Sequence, residues 1–561
     1  MTQLLHRWCL LVVATVVAFP AAAKPTRGPD QAGIATAHPL ATKAGEEILA
    51  AGGNAFDAAV AISAALAVVE PFASGLGGGA FWLLHRAKNG RQVFVDAREV
   101  APAAATHDMY LDDEGRPRAG ATLNGPLAAG IPGQPAGLVH LARRYGRLPL
   151  ARVLAPAIRY AEDGVEVTRG MELGLRFRRS AARNSPAFAA TYLPGGKALV
   201  MGDVVRHPDL ARTLRQIAAD GREGFYKGPV ARQLVDGVRA AGGIWTLDDL
   251  AGYEVLEREP VRTKFRGMTI VSAPPPSAGG IALANVFNIL DGYELQALAP
   301  VDRKHLTIEA MRRAYRDRAI YLGDPAFVSM PLERLLSPYY AEGQRVSILP
   351  DRATPSTQLS GILPEPAAGT NTTHFSVMDR AGNRVGGTLS INTWYGSAFI
   401  PPGTGVLLNN EMDDFSIKTG VPNGFDLIGT EANSVAPRKR MLSSMSPTFL
   451  EAERGIAILG TPGGSRIISM VLLASLAWFD GADAQQMVSL KRYHHQYFPD
   501  AVAYEKGALT AEEEAVLAAR GHKLEPSARS YGNMQVVTWD RETGRVEAAS
   551  DPRGGGDVTV Y

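Results

Sequence analysis

The chain has 561 residues, 46% hydrophobic and 20% charged, with 59 Gly, 37 Pro and a single Cys. That apolar share excludes a disordered or fibrous chain, and a net charge of +2 leaves no basic excess for a nucleic-acid footprint. One cysteine excludes an intrachain disulfide framework, a thiolate metal cluster and CxxC redox chemistry. At about 150 residues per domain, length alone suggests three or four domains.

Residues 1–23 read as a secretory signal peptide. Arg7 stands in a short basic region, an apolar run covers 9–19, and Ala21 and Ala23 form an A-x-A cleavage site, so the mature chain starts near Lys24. The run is shorter than the roughly 20 residues a spanning helix needs, although an uncleaved anchor is the rival reading. Cys9 lies inside the discarded piece, so the mature chain holds no cysteine. The expected address is the periplasm, or the medium, with no membrane attachment after signal removal.

Residues 41–51 predict a helix closed by Gly52-Gly53, and Asn54 is an N-cap for a second helix over 55–69. The second is apolar on every side and is expected to be buried. Residues 75–80 (Gly-Leu-Gly-Gly-Gly-Ala) superficially match a dinucleotide fingerprint, but a helix precedes and a strand-like Phe81-Trp82-Leu83-Leu84 follows. The fingerprint requires the opposite order, so close backbone packing at a tight turn is the better reading. Residues 148–335 alternate helical patterns with Pro/Gly breaks, as at 150–163 and 308–321, and 274–280 form an ordered turn before a helix. Residues 337–371, rich in Pro, Ser, Thr and Gly, read as a flexible linker.

After Asn371 the texture becomes β-rich. Residues 372–378 and 384–392 flank a turn at 379–383. In a hairpin centred on Ala381, Thr372 faces Ser390, which sets two hydroxyls side by side where a strand begins. No G-x-S-x-G elbow and no H-E-x-x-H helix is present, and His494-His495 read as polar packing. A hydroxyl nucleophile needs a base. A free α-amino group, titrating near pH 7.7–8.0, would supply one if the chain were cut before Thr372.

Residues 371–379 (Asn-Thr-Thr-His-Phe-Ser-Val-Met-Asp) resemble the processing site of the γ-glutamyltranspeptidase (glutathione hydrolase) family, as do 408–416, 442–448 and 460–466. Upstream, 52–59, 75–79, 96–99, 274–280 and 321–325, and downstream 550–553, match in family order across the mature chain. The resemblance implies an α+β fold, the N-terminal nucleophile (Ntn) hydrolase αββα sandwich. It implies self-cleavage between Asn371 and Thr372 into a large chain, 24–371, and a small catalytic chain, 372–561, that stay together as a heterodimer. It also implies no cofactor, no metal and no nucleic-acid partner. Thr372 would attack the carbonyl of glutathione or another γ-glutamyl donor, and water or the amine of an amino acid or peptide would take the acyl group.

The resemblance carries roles residue by residue. Ser390 assists the nucleophile, and Gly463 and Gly464 form the oxyanion hole. Arg98 with Ser443 and Ser444 holds the substrate carboxylate, Asn392, Glu411 and Asp414 surround its ammonium, and Phe425 lies in the lid. Bacterial members often carry Tyr where this chain has Phe425, which predicts a looser lid and more hydrolysis relative to transfer. The alternatives are a glutaryl-type amidase resembling the cephalosporin acylases of the same fold, and an inactive exported binding protein.

Overall fold

The computed structural model describes residues 27–182, 185–359, 361 and 372–561. The signal peptide reading and Asn371 therefore lie outside the described residues.

In chain order the strands of the two main sheets are β1 (Gly33–Thr36), β2 (Gly79–Arg86), β3 (Arg91–Ala97), β4 (Leu256–Arg258), β5 (Val261–Phe265), β6 (Met268–Ser272), β7 (Thr373–Met378), β8 (Arg384–Ser390), β9 (Thr448–Ala452), β10 (Gly455–Gly460), β11 (Gln535–Asp540), β12 (Val546–Ser550) and β13 (Asp557–Val560). One sheet runs β13-β1-β7-β8-β2-β3-β4 and the other β12-β11-β10-β9-β6-β5. Every pairing within them is antiparallel.

The sheets pack face to face, with helices on both outer sides. Alternation along β2 shows why. Trp82 and Leu84 point to the helices α1 (Pro39–Ala50) and α2 (Ala55–Val69), while Phe81 and Leu83 join the core shared with the second sheet. On the far side, α3 (Gly279–Leu290), α4 (Pro300–Tyr321) and α5 (Ile467–Phe479) contribute to that second core. The length prior of three or four domains thus gives way to one four-layer sandwich.

Helix α2 is buried along its whole length, as its all-round apolarity predicts. Asn54 caps it by accepting from the N–H groups of Phe56 and Asp57, and Asp57 reciprocates on the Asn54 N–H; such a cap is worth about 1 kcal/mol. The glycine-rich turn that follows is a site of close approach. A Cβ at Gly77 would sit 2.0 Å from the Leu407 carbonyl oxygen, and one at Gly78 would sit 2.1 Å from that of Ser390. The turn therefore presses β2 against the end of β8.

Two expectations need correction. The helical reading of 148–335 omits β4, β5 and β6; the β-branched stretch Thr269-Ile270-Val271 was the available signal. The segment 337–371 is also not a linker over its first part, because Pro338–Val346 is a helix with its proline in the first turn. Its hydroxyls are partners of buried charges. Arg313 donates to Ser347 and Thr354, Arg312 donates to Ser356, and Asp500 accepts from the Ser356 N–H at 2.7 Å. Composition counts those polar residues as solvated, whereas the fold uses them inside.

Candidate active site

The hairpin of β7 and β8 pairs Met378 with Arg384 and continues in register to Thr373 with Leu389. One step further in that register sets Thr372 beside Ser390, as the turn position predicts. Both line a pocket with Arg98, Asn392, Glu411, Asp414, Phe425, Ser443, Ser444 and Gly464. Residues from five separate stretches of chain thus meet at one sheet end. Gly463 adjoins the pocket, with φ of 145° against 56° at Gly464. Both values favour glycine, and a Cβ at Gly464 would come within 2.3 Å of the Phe425 ring.

One wall is charged. Arg98, following β3, is 1% exposed. Its Nη1 lies 3.0 Å from Glu411 and 3.5 Å from Glu99, its Nη2 bonds Asp414, and its Nε donates to the Met441 carbonyl at 3.2 Å. Burial works against the guanidinium charge, but Glu411, Asp414 and Glu99 together offset it and raise its pKa. Burial pushes the Glu411 carboxyl up to about 7, with Arg98 pulling it down and Asp414 adding to the rise. The residues expected to hold the two ends of a zwitterion are therefore bonded to each other.

The other wall is uncharged. Ser390 Oγ accepts from the Asn392 N–H at 2.7 Å, and its hydroxyl bonds the Glu411 carboxyl across the pocket. Asn392, at φ 75°, is fixed by its amide donating to the Asn410 carbonyl at 2.8 Å. The turn before α3 holds Ser443 by its backbone: Ser443 N–H donates to the Pro276 carbonyl at 2.7 Å, and Ala278 N–H donates to the Ser443 carbonyl at 2.8 Å.

The segment around Phe425 closes the space. Asp413 accepts from Thr122 at 2.6 Å and from the Gly424 N–H at 2.8 Å, so it acts as an internal strut, while its neighbour Asp414 enters the pocket. Gln496 donates to the carbonyls of Phe425 and Asp426, and its own carbonyl oxygen lies 2.8 Å from His494 Nε2. Burial holds His494 near pKa 3, hence neutral, which agrees with the packing role expected for it. With Phe425 seated on Gly464, the remaining cavity is about 20 Å³, room for a single water.

Sequence reading missed several neighbours. Leu427, Met445, Ser465 and Ile467 also line the pocket. Glu99 is fully buried beside Arg98, with no hydrogen-bond partner on either oxygen among the described residues; burial first and Glu411 second raise its pKa well above normal. Helix α4 carries two braces one turn apart. Tyr315 donates its buried hydroxyl to the Ser465 carbonyl, next to Gly464, and Arg318 reaches Ser444 Oγ at 3.5 Å. The i, i+3 spacing of Tyr315 and Arg318 was visible, but nothing in the sequence said which loops they would meet. Among the described residues no group of three or more His, Cys, Asp or Glu is placed to hold a metal ion, and no helix is long and apolar enough to cross a membrane.

Two face-to-face antiparallel sheets between helical layers, with a threonine at the start of a central strand, define an Ntn hydrolase. A solved structure of cephalosporin acylase from Bacillus halodurans superposes with a TM-score of 0.83 at 30% identity, covering 98% of this chain and 99% of that one. A family profile, Gamma-glutamyltranspeptidase, matches residues 41–561. The glutathione hydrolase proenzyme of Pseudomonas sp. (strain A14) is 42% identical over 90% of this chain and 88% of its own length. That of Escherichia coli (strain K12) is 39% identical over 94% and 91%. The chain belongs to the gamma-glutamyltranspeptidase family, and it is an enzyme.

Proposed function

We propose that this enzyme is exported, cuts itself between Asn371 and Thr372, and as a heterodimer of 24–371 and 372–561 transfers γ-glutamyl groups from glutathione and related donors to water or an amine. The observation that carries the reading is the meeting of Thr372, Ser390 and the Arg98–Asp414–Glu411 cluster in one pocket. After the cut, the α-amino group of Thr372 takes the proton of its own hydroxyl. Thr372 Oγ1 attacks the γ-carbonyl, and the oxyanion is held by the N–H groups of Gly463 and Gly464. The amide C–N bond breaks, the leaving amine takes the proton, and an ester remains on Thr372. Water or an acceptor amine, deprotonated by the same amino group, then attacks that ester; the acyl C–O bond breaks, Thr372 Oγ1 takes back the proton, and glutamate or the new γ-glutamyl amide leaves.

Charge balance favours a zwitterionic acyl group. At rest Arg98 is compensated by Asp414 and Glu411. An α-carboxylate pairing with Arg98 frees those acids, and an α-ammonium satisfies them in turn. A glutaryl group brings only the carboxylate and would strand two buried acids, at a cost of several kcal/mol. The superposition with a cephalosporin acylase makes that second reading worth measuring.

Release of p-nitroaniline from γ-glutamyl-p-nitroanilide should exceed that from the glutaryl analogue by about a hundredfold or more. Equal rates would reverse the assignment. A denaturing gel of the purified protein should show two bands, the smaller beginning at Thr372. One uncut, inactive band would favour the binding protein.

A further inference from the structure

A second cavity, of about 490 Å³, lies at the other end of the nucleophile's hairpin. It touches Ala381 and Asn383 in the β7–β8 turn, whereas the active-site pocket sits at Thr372 and Ser390, some 20–25 Å away along the strands. Its rim carries Arg86, Lys88, Arg144 and Arg147, and none of its lining residues is acidic. For a chain whose net charge is only +2, this is a local concentration of positive charge.

The cations are largely uncompensated. Arg144 shares Glu257 with Arg91, while Arg86, Lys88 and Arg147 enter no ion pair among the described residues. Two carboxylates lie beneath, but their oxygens are directed inward onto the walls. Asp57 accepts from the N–H groups of Asn54, Arg147 and Leu148, and Asp379 accepts from those of Ala55, Ala381 and Asn383. These bonds tie the start of α2, the chain at 146–148 and the hairpin turn into a fixed cradle. The Asn383 amide oxygen adds to it by accepting from Ala87 N–H at 3.0 Å. The volume is that of a small-molecule site, and guanidinium forks bind phosphate oxygens in pairs.

We infer that this cradle is a binding site for a multivalent phosphate-type anion, separate from the catalytic pocket. The phosphates could stand on a free oligophosphate or on anionic lipid headgroups, and the chemistry at the arginines is the same.

The test uses the purified full chain. Tripolyphosphate is titrated calorimetrically at low and high salt, and sedimentation is measured with phosphatidylcholine vesicles with and without phosphatidylglycerol. Saturable tripolyphosphate binding is expected, weakened by salt and weakened about tenfold or more in Arg86→Glu/Arg147→Glu. Arg212→Glu, an exposed position outside the cavity's lining, should leave it unchanged. Capture by the phosphatidylglycerol vesicles, lost in the double variant, would assign a headgroup source; tripolyphosphate binding without capture would assign a free anion. Both variants should keep wild-type γ-glutamyl hydrolysis, which certifies their fold. No saturable binding of either probe, or binding that the double variant retains, overturns the proposal.

Discussion

The two walls of the candidate pocket are built by different physics. The Arg98 wall is a cluster of one guanidinium with Asp414, Glu411 and Glu99, in which burial raises the pKa of Glu411 and Glu99, so a change of charge there is costly. The Thr372–Ser390–Gly463–Gly464 wall is made of hydroxyls and backbone, and its positions depend on strand register and positive φ rather than on charge. Damage to the first should therefore appear in substrate binding and stability, and damage to the second in turnover and self-cleavage.

The largest effect tests the second wall. Thr372→Ala should remain a single uncut band and lose γ-glutamyl hydrolysis by about 10³-fold or more, with an unchanged melting transition. Cleavage in that variant would remove Thr372 from both roles. Next comes the charged wall. Arg98→Gln removes the cation that pairs with Asp414 and Glu411, so it should lower stability by about 3–5 kcal/mol in denaturant titration and raise KM far more than it lowers kcat. A variant of wild-type stability would mean that those acids are solvated rather than paired.

Tyr315→Phe probes the neutral wall from outside it. The substitution keeps the ring and deletes only the hydroxyl that fixes the Ser465 carbonyl beside Gly464. A loss of about tenfold in kcat with KM unchanged is expected, since small displacements of oxyanion donors are costly. A change in KM alone would place Tyr315 with substrate binding instead.

The charged wall should also respond to pH. Glu411 has its pKa raised from 4.5 to about 7, chiefly by burial. Between those values the folded protein keeps a proton that the unfolded chain releases, so this group's contribution to stability is lost as pH rises from about 4.5 through about 7. On the proposed role of Glu411, ammonium binding requires the anion and should improve over the upper part of that range. The inhibition constant of L-glutamate should fall about three- to tenfold between about pH 6 and about pH 8, and Glu411→Gln should flatten the profile. Using glutamate as an inhibitor keeps the titration of the Thr372 amino group out of the reading.

Much of this contrast was legible in the sequence, for reasons that differ between the walls. The hairpin needed only a turn position and the two-residue repeat of a strand, so the Thr372–Ser390 pairing followed from local rules. Helix α2 and its Asn54 cap were likewise local. The charged wall joins residues 98, 411 and 414, whose convergence no periodicity reveals, and it was reached only through resemblance to a family. Glu99, Tyr315 and Arg318 escaped even that, because a buried carboxyl or an internal brace has no sequence signature apart from its tertiary partners. The misread segment before the cleavage site fails for the same reason: Ser347, Thr354 and Ser356 look like loop residues until Arg312, Arg313 and Asp500 arrive from elsewhere.

The smallest effect concerns the lid, where the two walls meet. Phe425 packs on Gly464, and its segment is held by Gln496 donating to the Phe425 and Asp426 carbonyls, by the Asp413–Gly424 contact, and by Asn423, which donates to Asp414 and accepts from the Phe425 N–H. A phenylalanine offers no hydroxyl to bond Asn392, so on the proposed lid role the side chain itself resists opening by packing alone. Phe425→Tyr would add one hydrogen bond, worth about 0.5–1.5 kcal/mol, to the closed state. The ratio of transfer to hydrolysis, measured with glycylglycine as acceptor, should then rise about two- to tenfold at unchanged Thr372 acylation rate. An unchanged ratio would mean that water reaches the ester by a route the lid does not cover, and that partitioning is set at the neutral wall instead.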